Sequence, residues 1–338
     1  MRGVILYGPG DVRVEERPDP VLKEATDAII KVSATCVCGS DLWSYRGIND
    51  PTDPHPMGHE YCGVVQAVGD EVRDVKVGDF VVGGFYASDN TCAHCRAGFP
   101  NGCVQHQWYD GCQAELLRVP LADGTLVATP EQPDEALIPS LLTLSDVMAT
   151  GWHAAVMAGV KPGGTAVVVG DGAVGLCGVL AASQLGAGRV IAMSRHASRQ
   201  EVARLFGATD IVEARGEEGV ALIRELTDGI GADAVLECVG TGDAMNQAIA
   251  CARPGAMVGF VGVPHGVELP INQMFSRNVG VRGGMATVRT YLPDLMDRVL
   301  SGDINPGLVF DLTLGLEDAA EGYRAMDERR AIKALLRP

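Results

Sequence analysis

Between residues 139 and 262 the chain alternates two hydrophobic textures at regular intervals. Short, almost continuous apolar runs at 165–169, 190–193, 210–213, 234–238 and 257–261 predict strands buried on both faces. The stretches between them, 173–185, 198–206, 217–226 and 243–252, carry apolar residues at helical spacing. Apolar strands alternating with helices predict a parallel, doubly wound α/β sheet. Gly186 and Gly207 follow two of the predicted helices and suit the left-handed residue that ends a helix.

The first 145 residues read differently. Short β-like runs at 28–33, 62–68 and 80–82 are broken by Gly, Pro and Asp, which predicts an irregular antiparallel, barrel-like domain. Beyond Pro293 the pattern gives an amphipathic helix, a short strand near 308–312, a second helix and a last strand at 332–336. The expected organisation is residues 1–145 with 293–338 as one domain and 146–292 as the other.

Composition narrows the partners. Among 338 residues there are 43 acidic against 27 basic side chains, a net charge of −16. That balance argues against nucleic acid or an anionic membrane as a partner. No run of about 18 apolar residues is present, so no membrane span is expected. Residues 1–7 meet Gly8-Pro9-Gly10 too soon to read as a secretion signal. The ten cysteines are therefore expected as thiols or metal ligands in the cytoplasm.

The first predicted strand runs straight into Gly170-x-Gly172-x-x-Gly175 and then into a helix. The first glycine permits the tight turn, the second lets a pyrophosphate approach the backbone, and the third permits close packing. With Val174, these residues are expected to hold a dinucleotide at the N-terminus of the helix. Asp171 stands inside the turn, and its carboxylate is expected to point away from the pyrophosphate. The next strand ends at Ser194-Arg195-His196-Ala197-Ser198-Arg199, with no acid before Glu201. NAD enzymes place an acid here for the ribose 2′-hydroxyl. A hydroxyl with guanidinium groups suits a 2′-phosphate instead, so Ser194, Arg195 and Arg199 favour NADP over NAD.

In the first domain, Cys38-Gly39-Ser40-Asp41 and Gly58-His59-Glu60 lie about twenty residues apart. Thiolate, imidazole and carboxylate together suit Zn²⁺, which keeps an open position when catalytic. These motifs, the run from Val68-Gly69 to Gly78-Asp79, a cysteine lobe and the glycine turn resemble the zinc-dependent medium-chain alcohol/polyol dehydrogenases over essentially the whole chain.

The resemblance implies a GroES-like catalytic domain and a Rossmann domain. It makes Cys38 and His59 ligands of a catalytic zinc, with Glu60 a ligand or an exchanging partner. Asp146 stands where relatives carry the next ligand; the alternative is that it caps the following helix. Cys92, Cys95 and Cys103 match three of four positions of the family's structural zinc lobe, and Asp89 fills the slot of the missing cysteine. Ser40 matches the residue that hydrogen-bonds the substrate hydroxyl, whereas Trp43 occupies the slot of a relay histidine and reads as a pocket wall, with Trp108 as a second one. Val239, Gly240, Val261, Gly262 and Val263 are expected at the nicotinamide half. The implied reaction is hydride transfer between NADP(H) and an alcohol or polyol, or its aldehyde or ketone, in a homo-oligomer, a tetramer rather than a dimer. The alternatives are a zinc-free quinone or enone reductase and a nucleotide-binding protein without turnover.

Overall fold

The computed structural model describes residues 1–49, 54–109 and 111–338. The chain forms two compact units, Met1–Asp146 with Thr287–Pro338 and Val147–Ala286.

The first unit is built on a sheet in the order Leu126–Ala128, Phe80–Gly83, Tyr61–Val68, Ala28–Cys36, Ala334–Arg337 and Leu312–Gly315. Leu116–Val119 also pairs with Ala28–Cys36. All pairs are antiparallel except the last two strands, which run parallel. The pairing of Ala28–Cys36 with Tyr61–Val68 shifts register twice. Such irregularities bend a strand and let a sheet curl over its own side chains. Ala28, Ile30, Val32, Tyr61, Val65 and Leu117 fill the interior.

Register places the chemistry. Thr35 lies opposite Tyr61, so the chain leaving Ala28–Cys36 toward Cys38 passes the residues that enter Tyr61–Val68, His59 and Glu60. On the other side of the same strand Leu335 lies opposite Cys36. Lys333, two residues before Leu335, is thereby carried to the same end.

Two tail elements differ from expectation. Helix Val288–Leu300 starts before Pro293 and contains it. The strand expected near 308–312 starts only at its last residue: Pro306–Val309 is a 3₁₀ turn, and the strand is Leu312–Gly315. Pro306 removes an amide donor and Gly307 weakens extended pairing, so the apolar residues that follow tighten into a turn.

The second unit is a parallel six-stranded sheet in the order Asp210–Val212, Arg189–Met193, Thr165–Val169, Ala232–Glu237, Ala252–Phe260 and Gly280–Gly283. The order reverses beside Thr165–Val169, the switch point at which such sheets bind ligands beyond their carboxyl ends. Val167, Ile191, Val235 and Val258 are fully buried, as strands covered on both faces require. Helix Val147–Ala158 packs on Ala173–Gln184 so closely that a Cβ on Gly151 would lie 2.5 Å from the Gly178 nitrogen. Among the described residues no helix is long and apolar enough to cross a membrane.

Candidate functional site

Cys38, His59, Glu60 and Asp146 converge in the first unit, each offering one donor atom within 4.8 Å of the other three. The Asp146 Oδ2 atom lies 3.4 Å from both Cys38 Sγ and His59 Nε2. Its position is fixed by the preceding residue: the Ser145 hydroxyl donates to the Gly83 carbonyl at 2.7 Å and accepts the Tyr61 amide at 3.1 Å. Cys38, Glu60 and Asp146 are buried and His59 is half-buried.

Three acidic groups in one buried pocket are electrostatically costly. Burial pushes the Cys38 thiol up, and the Asp146 and Glu60 charges add to it. Burial likewise raises the Glu60 carboxyl, with Lys333 pulling the other way. Burial alone would lower the His59 imidazole, but Cys38, Asp41 and Asp146 hold it well above its usual value. A divalent cation relieves all of this, and the donor set is one that zinc accepts. Glu60 Oε2 is buried with no hydrogen-bond partner among the described residues. An orphaned carboxylate oxygen beside a thiol and an imidazole fits a metal.

Two supporting residues escaped the sequence reading. Asp41 Oδ1 lies 3.4 Å from His59 Nδ1, while its Oδ2 accepts the Cys38 amide at 2.9 Å. Gln113 Nε2 donates to Asp41 at 3.2 Å, and Tyr323 donates to Gln113 Oε1 at 2.9 Å. A carboxylate behind a ligating imidazole fixes the ring and its tautomer. The other is Lys333, whose ammonium lies 2.7 Å from Glu60 Oε1 and donates to the Val37 carbonyl at 3.1 Å. Asp41 in Cys38-Gly39-Ser40-Asp41 was visible as an acid three residues after a candidate ligand. Lys333 was visible as a lone charge in an apolar terminal strand, which must be either exposed or paired.

Ser40 immediately precedes helix Asp41–Tyr45, and its hydroxyl makes no hydrogen bond among the described residues. Trp43 is half-buried on that helix. Phe85 meets His59 edge to face at 6.1 Å between ring centres and Tyr86 at 5.2 Å. Trp108 is 61% exposed and reaches this group through Tyr86, at 6.3 Å.

Asp89, Cys92, Cys95 and Cys103 form a second cluster with donors within 4.8 Å of one another. Asp89 Oδ1 accepts the Thr91 and Cys92 amides at 2.8 and 3.0 Å. Against the upward push of burial, these bonds hold its carboxyl down at about 2. Amides of Cys95 and Val104 lower the Cys92 thiol to about 7. Cys103 Sγ accepts the Asp89 and Gln105 amides. All ten cysteines are free thiols. The lobe supplies four donors from protein alone, the pattern of a structural zinc.

In the second unit the turn behaves as its glycines require. Gly170 has φ +113°, a Cβ on Gly175 would lie 2.0 Å from the Gly170 carbonyl oxygen, and one on Gly172 would meet nothing within 4 Å. The helix that starts after Gly172 has no side-chain cap, so its first amides remain free for an anion. A cavity of about 910 Å³ opens beside it, lined by Gly170, Met193, Arg215, Val239 and Thr241. Val174 borders the turn half-buried.

The turns after the next two strands close on each other. A Cβ on Gly240 would lie 2.1 Å from the Val263 carbonyl oxygen, and one on Gly262 2.1 Å from the Gly240 nitrogen. Val239 and Val263 remain exposed. Buried Glu237, which the sequence reading passed over, braces them: its Oε1 accepts the Val239 and Gly240 amides at 2.8 Å each. Asp171 does turn away from the free amides. Its carboxylate meets Ser194 and Arg199.

The profile of the alcohol dehydrogenase GroES-like domain matches residues 24–131, and that of the zinc-binding dehydrogenases matches 173–301. The chain is 34% identical to zinc-type alcohol dehydrogenase B of Aspergillus flavus, over 100% of this chain and 81% of that protein. It is 36% identical to a probable zinc-binding alcohol dehydrogenase of Mycobacterium tuberculosis, over 100% and 89%. The structure superposes on the alcohol dehydrogenase of Thermus sp. ATN1 with a TM-score of 0.92 and 32% identity, covering 100% and 99% of the two chains. With its GroES-like domain, its parallel dinucleotide-binding sheet and a zinc-compatible donor set, the chain belongs to the zinc-dependent medium-chain alcohol dehydrogenases and is an NAD(P)-dependent alcohol dehydrogenase.

Proposed function

We propose that the protein moves a hydride between NADP(H) and a small alcohol or polyol, or the matching aldehyde or ketone. A catalytic zinc would be held by Cys38, His59 and Asp146, with Glu60 beside them, and a structural zinc by Asp89, Cys92, Cys95 and Cys103. The observation that carries the reading is the convergence of the four donors of the first set within 4.8 Å. When bound, the zinc supplies Lewis acidity to the substrate oxygen and the nicotinamide supplies the hydride acceptor or donor.

The chain's own residues do the rest. Ser40 Oγ, unengaged by other described residues, accepts the substrate hydroxyl proton and passes it to water or a ribose hydroxyl. Trp43 stands where a relay histidine would be and instead walls the substrate, with Trp108 further out. Asp41 orients His59, and Lys333 keeps one oxygen of Glu60 occupied. Gly170, Gly172, Val174 and Gly175 hold the pyrophosphate, while Val239, Gly240, Val261, Gly262 and Val263 hold the nicotinamide half. Ser194, Arg195 and Arg199 lie at the strand end facing the 2′ position, and exposed Arg195, with no side-chain partner among the described residues, is the one left to meet a 2′-phosphate. Assembly as a homo-oligomer, a tetramer rather than a dimer, and a cytoplasmic location belong to the same reading.

The test combines metal analysis with kinetics. Wild-type protein should carry two zinc ions per chain, and Asp89→Ala only the catalytic one. Cys38→Ser and His59→Ala should lose the catalytic ion and nearly all turnover. Wild-type kcat/KM should be higher with NADPH than with NADH, and Arg195→Ala should narrow the difference. Full activity in Cys38→Ser would refute the metal assignment, and equal values for the two cofactors would refute the NADP preference.

A further inference from the structure

We propose that Asp171, inside the glycine turn, tempers the protein's discrimination for a nucleotide 2′-phosphate by withholding Ser194 and Arg199 from it. The inference rests on where the reading above places the ribose 2′ position, not on which cofactor the wild type prefers. In a doubly wound sheet the ribose 2′ position falls at the end of the second strand, here Arg189–Met193. Of the three side chains assigned to that position, Ser194, Arg195 and Arg199, two are already engaged. Ser194 Oγ donates to Asp171 Oδ2 at 2.9 Å, and Arg199 Nη1 lies 3.2 Å from Asp171 Oδ1. The Arg195 amide, at 3.4 Å, closes the cluster. Asp171 is 7% and Ser194 1% exposed, so water does not compete for these contacts.

The chemistry follows from the donors. A serine hydroxyl has one proton. With it committed to Asp171, Ser194 offers only lone pairs, which accept from a ribose hydroxyl and repel a phosphate. The charge of Arg199 is matched by that of Asp171, so the pair adds little attraction for an incoming dianion. Arg195 is left as the cation without a counter-charge. The carboxylate that NAD enzymes place at the strand end thus stands here in the turn, partly neutralised by Arg199.

Adenosine 2′,5′-bisphosphate and AMP differ only by the 2′-phosphate, and calorimetric titration of the zinc-loaded protein with each isolates its contribution. Asp171→Asn should raise the preference for the bisphosphate roughly tenfold, the scale of one hydrogen bond to a charged group, with AMP affinity nearly unchanged. Ser194→Ala should leave the preference within about twofold of wild type, as for an interaction the ligand never makes. An unchanged preference in Asp171→Asn overturns the inference, as does equal weakening of both nucleotides, which would mark Asp171 as a support of the turn. A roughly tenfold loss of preference in Ser194→Ala also overturns it, and this arm stands even if Asp171→Asn fails to fold. Equal binding of both nucleotides by wild type would instead refute the NADP reading and leave the Asp171 inference intact, since the change on substitution carries it.

Discussion

Replacing Lys333 by methionine should cost the first unit on the order of 4 kcal/mol, most of it from the charge left behind. Lys333 and Glu60 are each 1% exposed and 2.7 Å apart. Breaking such a pair by removing one partner typically costs about 3–5 kcal/mol. The Val37 carbonyl also loses a charged donor at 3.1 Å, worth about 1 kcal/mol more. Methionine retains most of the lysine stem, so little cavity is added. The shifts of the two partners run the same way. Burial would lower the Lys333 ammonium, but Cys36, Glu60 and Cys38 hold it well above its usual value, whereas Glu60 is raised by burial and by Asp146. At 2.7 Å the two groups meet as a charged pair. Without Lys333 the carboxyl rises further and takes up a proton, which places the loss near the lower end of the sum. Glu60→Gln in the same chain removes the stranded charge, so the double variant should recover about 3 kcal/mol relative to the added single effects. Native-state hydrogen exchange of amides in Tyr61–Val68, with a chelator present, reads this unit separately from the other. A Lys333→Met protein within about 1 kcal/mol of wild type would refute the reasoning, as would strictly additive effects in the double variant.

The glycine turn offers a contrast between stability and binding. Gly175→Ala sets a Cβ 2.0 Å from a backbone oxygen and should destabilise the second unit by about 3 kcal/mol in thermal melts. Gly172→Ala meets nothing within 4 Å and should melt like wild type while binding dinucleotide at least about tenfold more weakly. Unimpaired binding in Gly172→Ala would remove the phosphate from this turn. His153 gives the second unit a pH dependence, because burial and Arg282 lower its imidazole to about 4. Its neutral form is favoured in the folded state. The resulting stability is complete above the unfolded value of about 6.5, is lost as the pH falls from there to about 4, and amounts to about 3 kcal/mol at most. His153→Gln should flatten urea-midpoint profiles across that window, and an unchanged slope would show that the imidazole is not responsible.

The alternation of the second unit was legible because strands such as Thr165–Val169 and Arg189–Met193 are buried on both faces and carry a polar residue only at their first position. Residues 165–169 and 190–193 fall in strands Thr165–Val169 and Arg189–Met193 for that reason. The tail was harder: Pro293 reads as a boundary, yet helix Val288–Leu300 runs through it, and Pro306 with Gly307 turns the chain before an apolar run that reads as a strand.

The ligand types at Cys38, His59 and Glu60 could be read directly, but their supports could not. Which side chain answers a buried charge is settled by register between strands far apart in sequence. Lys333 reaches Glu60 because Leu335 pairs with Cys36 and Thr35 with Tyr61; a one-residue slip in the first pairing would turn the lysine to the other face, and one in the second would displace Glu60, so either would part the two charges. The dependence also runs the other way. A slipped register would bury two unpaired ions, so the Glu60–Lys333 contact penalises the alternatives that the irregular pairing of Ala28–Cys36 would otherwise tolerate. The same pair that conditions the candidate metal site therefore also selects the sheet register that builds it.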